Sequence, residues 1–393
     1  MQRSTDRILT THVGSLPRVE GLADLLLARE EGKRVDAAEF EATLDRALGR
    51  VVDRQIAAGI DIGNDGEMPR PNFVSYIVHR MSGFGFGEKA ERPLPLDAKE
   101  FPIWYEQFTK SGRRRMNVYR FPQAVDEIRY DNMDGVTAEC AAFRRCLEQR
   151  PNGFTEVFMT AVSPGFAATA MVNQHYARYQ DYVMALARGL KREYEHIVGA
   201  GFILQIDSPD LAMERQGYFQ DLSLKEFQSV IEMHIEAINL AIAEIPPEKV
   251  RLHACWGNRD GPHVHDVAMA DVLPIMYQAK VGAISLPFAN VRHQHEMDIF
   301  REHPLPDHML VLPGVVETTS NYVEHPLLVA ERLCRIAEGV GDPTRVIAST
   351  DCGFGTIAGD TFTAEDVVWA KLEVLRQGAE IASERLMGRK GAA

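Results

Sequence analysis

The chain has 393 residues, 45% of them hydrophobic and 25% charged, with 43 basic against 56 acidic side chains and a formal net charge of −13. This is ordinary globular composition, enough for one large barrel or two smaller domains, and its acidity argues against nucleic acid or an anionic membrane as a partner. No run of 18 uninterrupted apolar residues occurs, and Met1-Gln2-Arg3-Ser4-Thr5-Asp6-Arg7 lacks the apolar core of a signal peptide; a cytoplasmic protein without a membrane span is expected. Five cysteines, at 140, 146, 255, 334 and 352, are too few and odd in number for a disulfide framework, which leaves them free for metal or catalysis.

In chain order, eight short β-branched runs alternate with helical periodicity. They are Ile8–Val13, Ile60–Asn64, Glu156–Val162, Phe202–Asp207, Val250–Cys255, Ala283–Leu286, Met309–Leu312 and Val346–Asp351. The clearest helix runs from Ala37 to Ala58, with Phe40, Leu44, Leu48, Val51, Val52 and Ile56 on one stripe. Further helices are predicted over Tyr176–Val198, Leu224–Ala243, Pro326–Glu338 and Ala364–Ser383. Alternating strand and helix signals imply a parallel sheet, and eight strands at this length predict a single (β/α)8 TIM barrel over residues 1–393. Residues 69–150 are too long for one βα unit and read as an insertion between strands 2 and 3, a lid or subdomain over the barrel mouth. It contains Gly83-Phe84-Gly85-Phe86-Gly87, which lacks the flanking strand and helix of a dinucleotide fingerprint. It also contains Arg113-Arg114-Arg115, a solvated loop or a receiver for an anionic tail.

Barrel sites gather at the C-terminal strand ends. Here those ends carry Gly14-Ser15, Asp65-Gly66-Glu67, Ser163-Pro164, Asp207-Ser208-Pro209, His253-Ala254-Cys255 and Asp351-Cys352. His253, Cys255 and Cys352 therefore converge as an imidazole and two thiolates, a donor set suited to Zn²⁺ with an open fourth position. A substrate thiol bound there is deprotonated at neutral pH. Cys140, Cys146 and Cys334 read as ordinary thiols, and His263 and His265 as loop residues.

With those residues in view, the chain resembles the catalytic domain of the cobalamin-independent methionine synthase family and its single-domain relatives, which include epoxyalkane:coenzyme M transferase. The resemblance rests on Gly66-Glu67, Gln205-Ile206-Asp207-Ser208-Pro209, His253-Ala254-Cys255-Trp256-Gly257-Asn258, Asp351-Cys352-Gly353 and Asn321-Tyr322-Val323-Glu324-His325-Pro326. It implies a zinc-dependent S-methyltransferase of methionine biosynthesis. His253, Cys255 and Cys352 match the metal ligands, and Ser15, Glu67 and Asp207 match the positions that hold the amino-acid part of homocysteine, Glu67 and Asp207 serving as the catalytic pair. The partners implied are a small-molecule thiol and a methyltetrahydrofolate-type donor; assembly into a homo-oligomer stays open. The alternative is addition of a thiol to an epoxide, as in the coenzyme M relatives.

Two departures stand out. The family places a zinc-ligating Glu just after the sixth strand, where this chain has Pro287, leaving three protein ligands plus solvent or a substitute among His293, His295 and Glu296. After the seventh strand the family carries a catalytic His, where Glu317-Thr318-Thr319-Ser320 here puts Thr319.

Overall fold

A computed structural model describes residues 1–18, 21–86, 92–111, 122–360 and 362–388. Ten strands occur among them: β1 (Leu9–Thr10), β2 (Ile62–Gly63), β3 (Met81–Gly85), β4 (Gln123–Tyr130), β5 (Glu156–Val162), β6 (Ile203–Asp207), β7 (Val250–His253), β8 (Ala283–Pro287), β9 (Leu310–Val316) and β10 (Ile347–Thr350). Eight form one sheet in the order β1-β10-β9-β8-β7-β6-β5-β2. Every pairing in it is parallel, and a parallel bridge between Thr11 and Ile62 joins its two edges. The expected (β/α)8 barrel is therefore present, and each of its strands falls on one of the eight runs. No helix among the described residues is long and apolar enough to cross a membrane.

Strand alternation sorts the barrel into layers. On β6, Leu204 and Ile206 point outward into the core shared with the helices. Ile203 points inward and joins Leu9, Ile62, Phe158, Ala283, Leu310, Leu312 and Ile347 in a small apolar cluster. These residues lie toward the N-terminal strand ends, so they make the barrel floor. Above it lies a polar layer. The Arg251 guanidinium sits 3.4 Å from the Phe158 ring centroid and donates to Gln205 Oε1 at 2.7 Å, Thr11 Oγ1 at 3.1 Å and the His12 carbonyl at 2.9 Å. The next inward residues are Asp207 and His253, paired side by side across β6 and β7.

The helices form where capping and apolar stripes agree. Ala37–Ala57 is capped by Asp36, whose side chain accepts from the Glu39 N–H, and buries Leu48, Val51 and Val52. Leu224–Ala241 opens with a Ser223/Glu226 capping box. Pro326–Val340 starts on proline and ends at Gly341 with φ 78°. Tyr179–Gly199 and Glu365–Met387 complete the long helices.

Within residues 69–150, β3 and β4 form an antiparallel hairpin. Gly83 (φ 93°) lies where the hairpin register shifts, and a Cβ there would meet the Glu127 carbonyl at 2.5 Å. The Gly-Phe repeat is thus hairpin backbone; Gly87 and Arg113–Arg115 lie outside the described residues. Helices Leu96–Glu100 and Pro102–Lys110 follow the hairpin's first strand. Asp134–Glu148 packs between Ala37–Ala57 and Tyr179–Gly199 as part of the outer ring.

A buried ion network ties this region to the barrel. Glu193 accepts from Tyr76 Oη at 2.7 Å, Arg80 at 3.0 Å and the Tyr130 hydroxyl. Glu139 pairs with Arg70 at 2.8 Å and with Arg80, and Arg70 donates to the Thr160 carbonyl on β5 at 2.8 Å. Burial disfavours the Glu193 charge, yet Arg80, Arg70 and the two phenols hold its pKa below the ordinary range. Deleting one member of such a network strands the others without partners. Glu193→Leu is expected to lower unfolding free energy by about 3–5 kcal/mol, read as a drop in urea midpoint; a loss under about 1 kcal/mol would show the network to be energetically idle.

Candidate active site at the barrel mouth

Ser15, Glu67, Asp207, His253, Cys255 and Cys352 all line one cavity at the C-terminal strand ends. Asp207 ends β6 and His253 ends β7, while Cys255 and Cys352 lie two residues beyond β7 and β10. Glu67 stands in the turn after β2 with φ 56°, directly after Gly66 at φ 65°. Left-handed backbone at a glutamate costs on the order of 1–3 kcal/mol and persists only where surroundings enforce it. Here Asp65 Oδ1 accepts from the Glu67 N–H at 2.9 Å, and the Leu16 N–H donates to the Gly66 carbonyl at 3.1 Å. Gly353 is equally constrained: a Cβ there would fall 2.0 Å from Ser15 Oγ.

The candidate ligand atoms of His253, Cys255 and Cys352 lie within 4.8 Å of one another. His253 Nδ1 is 3.3 Å from Ser285 Oγ, and His253 Nε2 is buried with no hydrogen-bond partner. That leaves the Nε2 lone pair free for a metal once Nδ1 donates to the serine. The Cys352 thiol and then His253 hold the Cys255 sulfur well below its ordinary pKa against the effect of burial, while Cys352 is pushed up by Cys255 and by burial. A soft cation bound between the two sulfurs would favour the thiolate form of both. Two sulfurs and one free imidazole nitrogen fit Zn²⁺.

The two carboxylates differ in support. Glu67 Oε1 accepts from Thr160 Oγ1 at 3.0 Å, whereas Oε2 is buried and unpartnered. Burial raises the Glu67 pKa, with Arg18 and Arg70 opposing. Asp207 Oδ1 accepts from Gln205 Nε2 at 2.7 Å, and burial pushes its pKa up to about 7, with His253 opposing. Neither makes an ion pair among the described residues, so the cavity holds two carboxyl groups poised for a cation.

Pro287, Thr319 and Glu317 line a smaller hollow beside Cys255 and Cys352. Thr319 donates from its N–H to Glu317 Oε1 at 2.7 Å. His293 is paired at Nε2 with Asp266 (3.0 Å) and at Nδ1 with Glu296 (2.8 Å). Glu296 also accepts from the Met269 N–H at 2.7 Å, and His295 is exposed. None of these three belongs to the His253/Cys255/Cys352 group. The Asp351 carboxylate, next to Cys352, accepts from the N–H groups of Phe288 (3.0 Å), Ala289 (2.9 Å) and Asn290 (2.7 Å), which ties the loop after Pro287 to the β10 end. Asn258 bridges the Gly353 carbonyl (2.8 Å) and Thr318 Oγ1 (2.9 Å).

Sequence reasoning put residues 69–150 over the barrel mouth without naming the side chains that line it. The segment around Leu96–Lys110 contributes Pro95, Ala98, Trp104, Tyr105 and Phe108 to the cavity. His263 lies in a loop, as expected, and its Nδ1 meets Asp266 at 2.8 Å beside His293. The His-x-x-Asp and His-x-x-Glu spacings were the available signals. The helices Leu22–Glu30, Pro164–Ala170 and Met269–Met276 were also missed.

Asp266 and Glu296 push the His293 pKa up to about 9 against burial, and His263 and His293 hold Asp266 at about 2. The folded state thus binds the His293 proton more tightly than the unfolded chain. The stabilisation is complete below about pH 6.5 and is lost as pH rises through 9. Urea unfolding from pH 6.5 to 9.5 should show a loss of up to about 3 kcal/mol that His293→Gln removes; an identical slope in the variant would contradict the assignment.

Residues 8–133 match the family model described as cobalamin-independent synthase, catalytic domain. A methionine synthase of Saccharolobus solfataricus is 23% identical over 383 residues, covering 97% of this chain and 96% of its own. One from Sulfolobus acidocaldarius is 24% identical over 349 residues, covering 88% and 85%. Among solved structures, a B12-independent methionine synthase from Shewanella sp. W3-18-1 in complex with selenomethionine superposes with TM-score 0.70 at 19% identity, covering 98% of this chain and 100% of that one; it shares the fold. The chain is thus similar to methionine synthases over nearly its whole length, and its residues 8–133 match the catalytic-domain model of the cobalamin-independent family.

Proposed function

We propose that this protein is a zinc-dependent S-methyltransferase that methylates the sulfur of homocysteine. The observation that carries the reading is one cavity that joins a buried, unpartnered imidazole nitrogen and two sulfurs to two unpaired carboxyl groups. Similarity to methionine synthases over nearly the whole chain supports it.

His253, Cys255 and Cys352 would hold the ion, and Pro287 leaves its remaining position to solvent or the acceptor. Bound there, zinc supplies the charge that keeps an acceptor thiol deprotonated at neutral pH. Glu67 and Asp207 receive the acceptor's ammonium group. Its arrival favours ionisation of Asp207, whose pKa near 7 leaves it ready to release a proton. Ser15, held against Gly353, offers a hydroxyl to the acceptor. Arg251 and Gln205 fix Asp207 from below. Trp104, Tyr105 and Phe108 give the cavity an apolar wall, which favours a thiolate nucleophile. Paired carboxyl groups suit an amino-acid thiol and repel a sulfonate one, so homocysteine ranks above a coenzyme M-type acceptor. A methyltetrahydrofolate-type donor is the version that the family resemblance implies.

Protein purified without added metal should carry about one zinc per chain and bind homocysteine with proton release in calorimetry. Cys352→Ser should lose zinc and turnover together; full turnover in a zinc-free variant would overturn the metal's role. Glu67→Gln should keep its zinc while homocysteine affinity falls roughly 10–100-fold, the loss of one charge-assisted contact. Unchanged acceptor affinity would remove Glu67 from that role.

A further inference from the structure

The donor side of the cavity is built from rings. Phe73, after β2, and Phe166, after β5, stack with centroids 5.3 Å apart and 7° between planes. Trp104 and Phe108 lie 5.5 Å apart, and the Trp104 indole N–H donates to the Asp260 carbonyl at 2.9 Å, which fixes the ring edge. Tyr105 and Met213 complete this lining.

The charges complete the picture. Among the described residues lining the cavity, the guanidinium groups are those of Arg92 and Arg259. Arg92 is paired with Glu214, and Arg259 with Asp97 at 2.9 Å. Both are neutralised, while Glu67 and Asp207 are not. Among the described residues, then, this lining offers a cation ring faces and carboxylates together.

We propose that the alkyl donor is a methyl onium compound, a sulfonium or quaternary ammonium, seated against Trp104, Phe108, Phe73 and Phe166. This rests on the thiol-methylation reading and names its donor class. The chemistry balances without a further reactant. The acceptor thiolate's lone pair forms the new S–CH3 bond, and the old C–S⁺ or C–N⁺ bond breaks with its electron pair going to the leaving atom. An anion and a cation become a neutral thioether and a neutral thioether or amine. Such charge-annihilating displacement is favoured in apolar surroundings, and rings make up much of this lining.

The test is calorimetry on the zinc-loaded protein with trimethylsulfonium, choline and 3,3-dimethyl-1-butanol, the uncharged carbon analogue of choline. At least one onium should bind tenfold or more tighter than the neutral analogue, and Trp104→Leu should weaken it about tenfold while zinc content and homocysteine binding persist. Phe73→Leu, on a different segment, serves as the second variant if Trp104→Leu does not fold. Methionine formed from trimethylsulfonium assigns a sulfonium donor, and methionine formed from choline an ammonium donor. Equal affinity for the neutral analogue, or onium binding indifferent to both variants, overturns the proposal. Methyl transfer from methyltetrahydrofolate without onium binding does so as well. Absence of zinc or of homocysteine binding in the unaltered protein would instead refute the acceptor reading, and it leaves the onium titration readable on its own.

Discussion

A single buried guanidinium governs the arrangement of the barrel mouth. Arg251 rests on the Phe158 ring and reaches Gln205, Thr11 and the His12 carbonyl. So placed, it caps the apolar floor and begins a polar interior. Burial lowers its pKa to about 9 while Asp207 opposes. Through Gln205, which also donates to Asp207 at 2.7 Å, this charge is coupled to the carboxyl group at the next inward position. The strand period of two then makes His253 the next inward residue after Arg251 on β7. A site of polar groups inside a barrel is costly unless each group is hydrogen-bonded or awaits a ligand. Two of the buried atoms left unpartnered, His253 Nε2 and Glu67 Oε2, are ones that the proposed metal and acceptor would satisfy.

The reactive groups occupy loops one or two residues past the strand ends, where they would be free to wander. Short polar ties prevent this. Asp351 gathers three consecutive backbone N–H groups of the loop after β8, and Asn258 links the loops after β7, β9 and β10. Close packing of Ser15 against Gly353 joins the first loop to the last. Positions set in this way on a rigid frame cost little to organise when a substrate arrives. Residues 69–150 add both a wall to the cavity and, through Glu139 and Glu193, a buried ionic attachment to the outer helices.

Much of this was legible in the residues themselves. The eight strands, five of the longer helices and the convergence of His253, Cys255 and Cys352 follow from local periodicity combined with the rule that barrel sites gather at strand C-termini. Asp134–Glu148 was hidden because it sits inside a segment whose length announces an insertion, although Val136, Cys140, Phe143 and Cys146 bury one face of it. The first two strands are two residues long in the sheet, shorter than their apolar runs, since Val13 and Asn64 already belong to the loops that carry Ser15 and Glu67.

By itself, then, the sequence determined the eight barrel strands, five of the longer helices and which residue types stand at the strand ends, because those depend on local pattern and chain order. The partners of each charge were decided only in three dimensions. Nothing in the order of residues says that Arg92 meets Glu214, that Arg259 meets Asp97, or that His293 is taken by Asp266 and Glu296. Nor does it say that Glu67 and Asp207 are left without a cation. Such pairings are long-range contacts chosen by packing, and in a low-dielectric interior they decide which groups are spent on the fold and which remain available to bind a ligand.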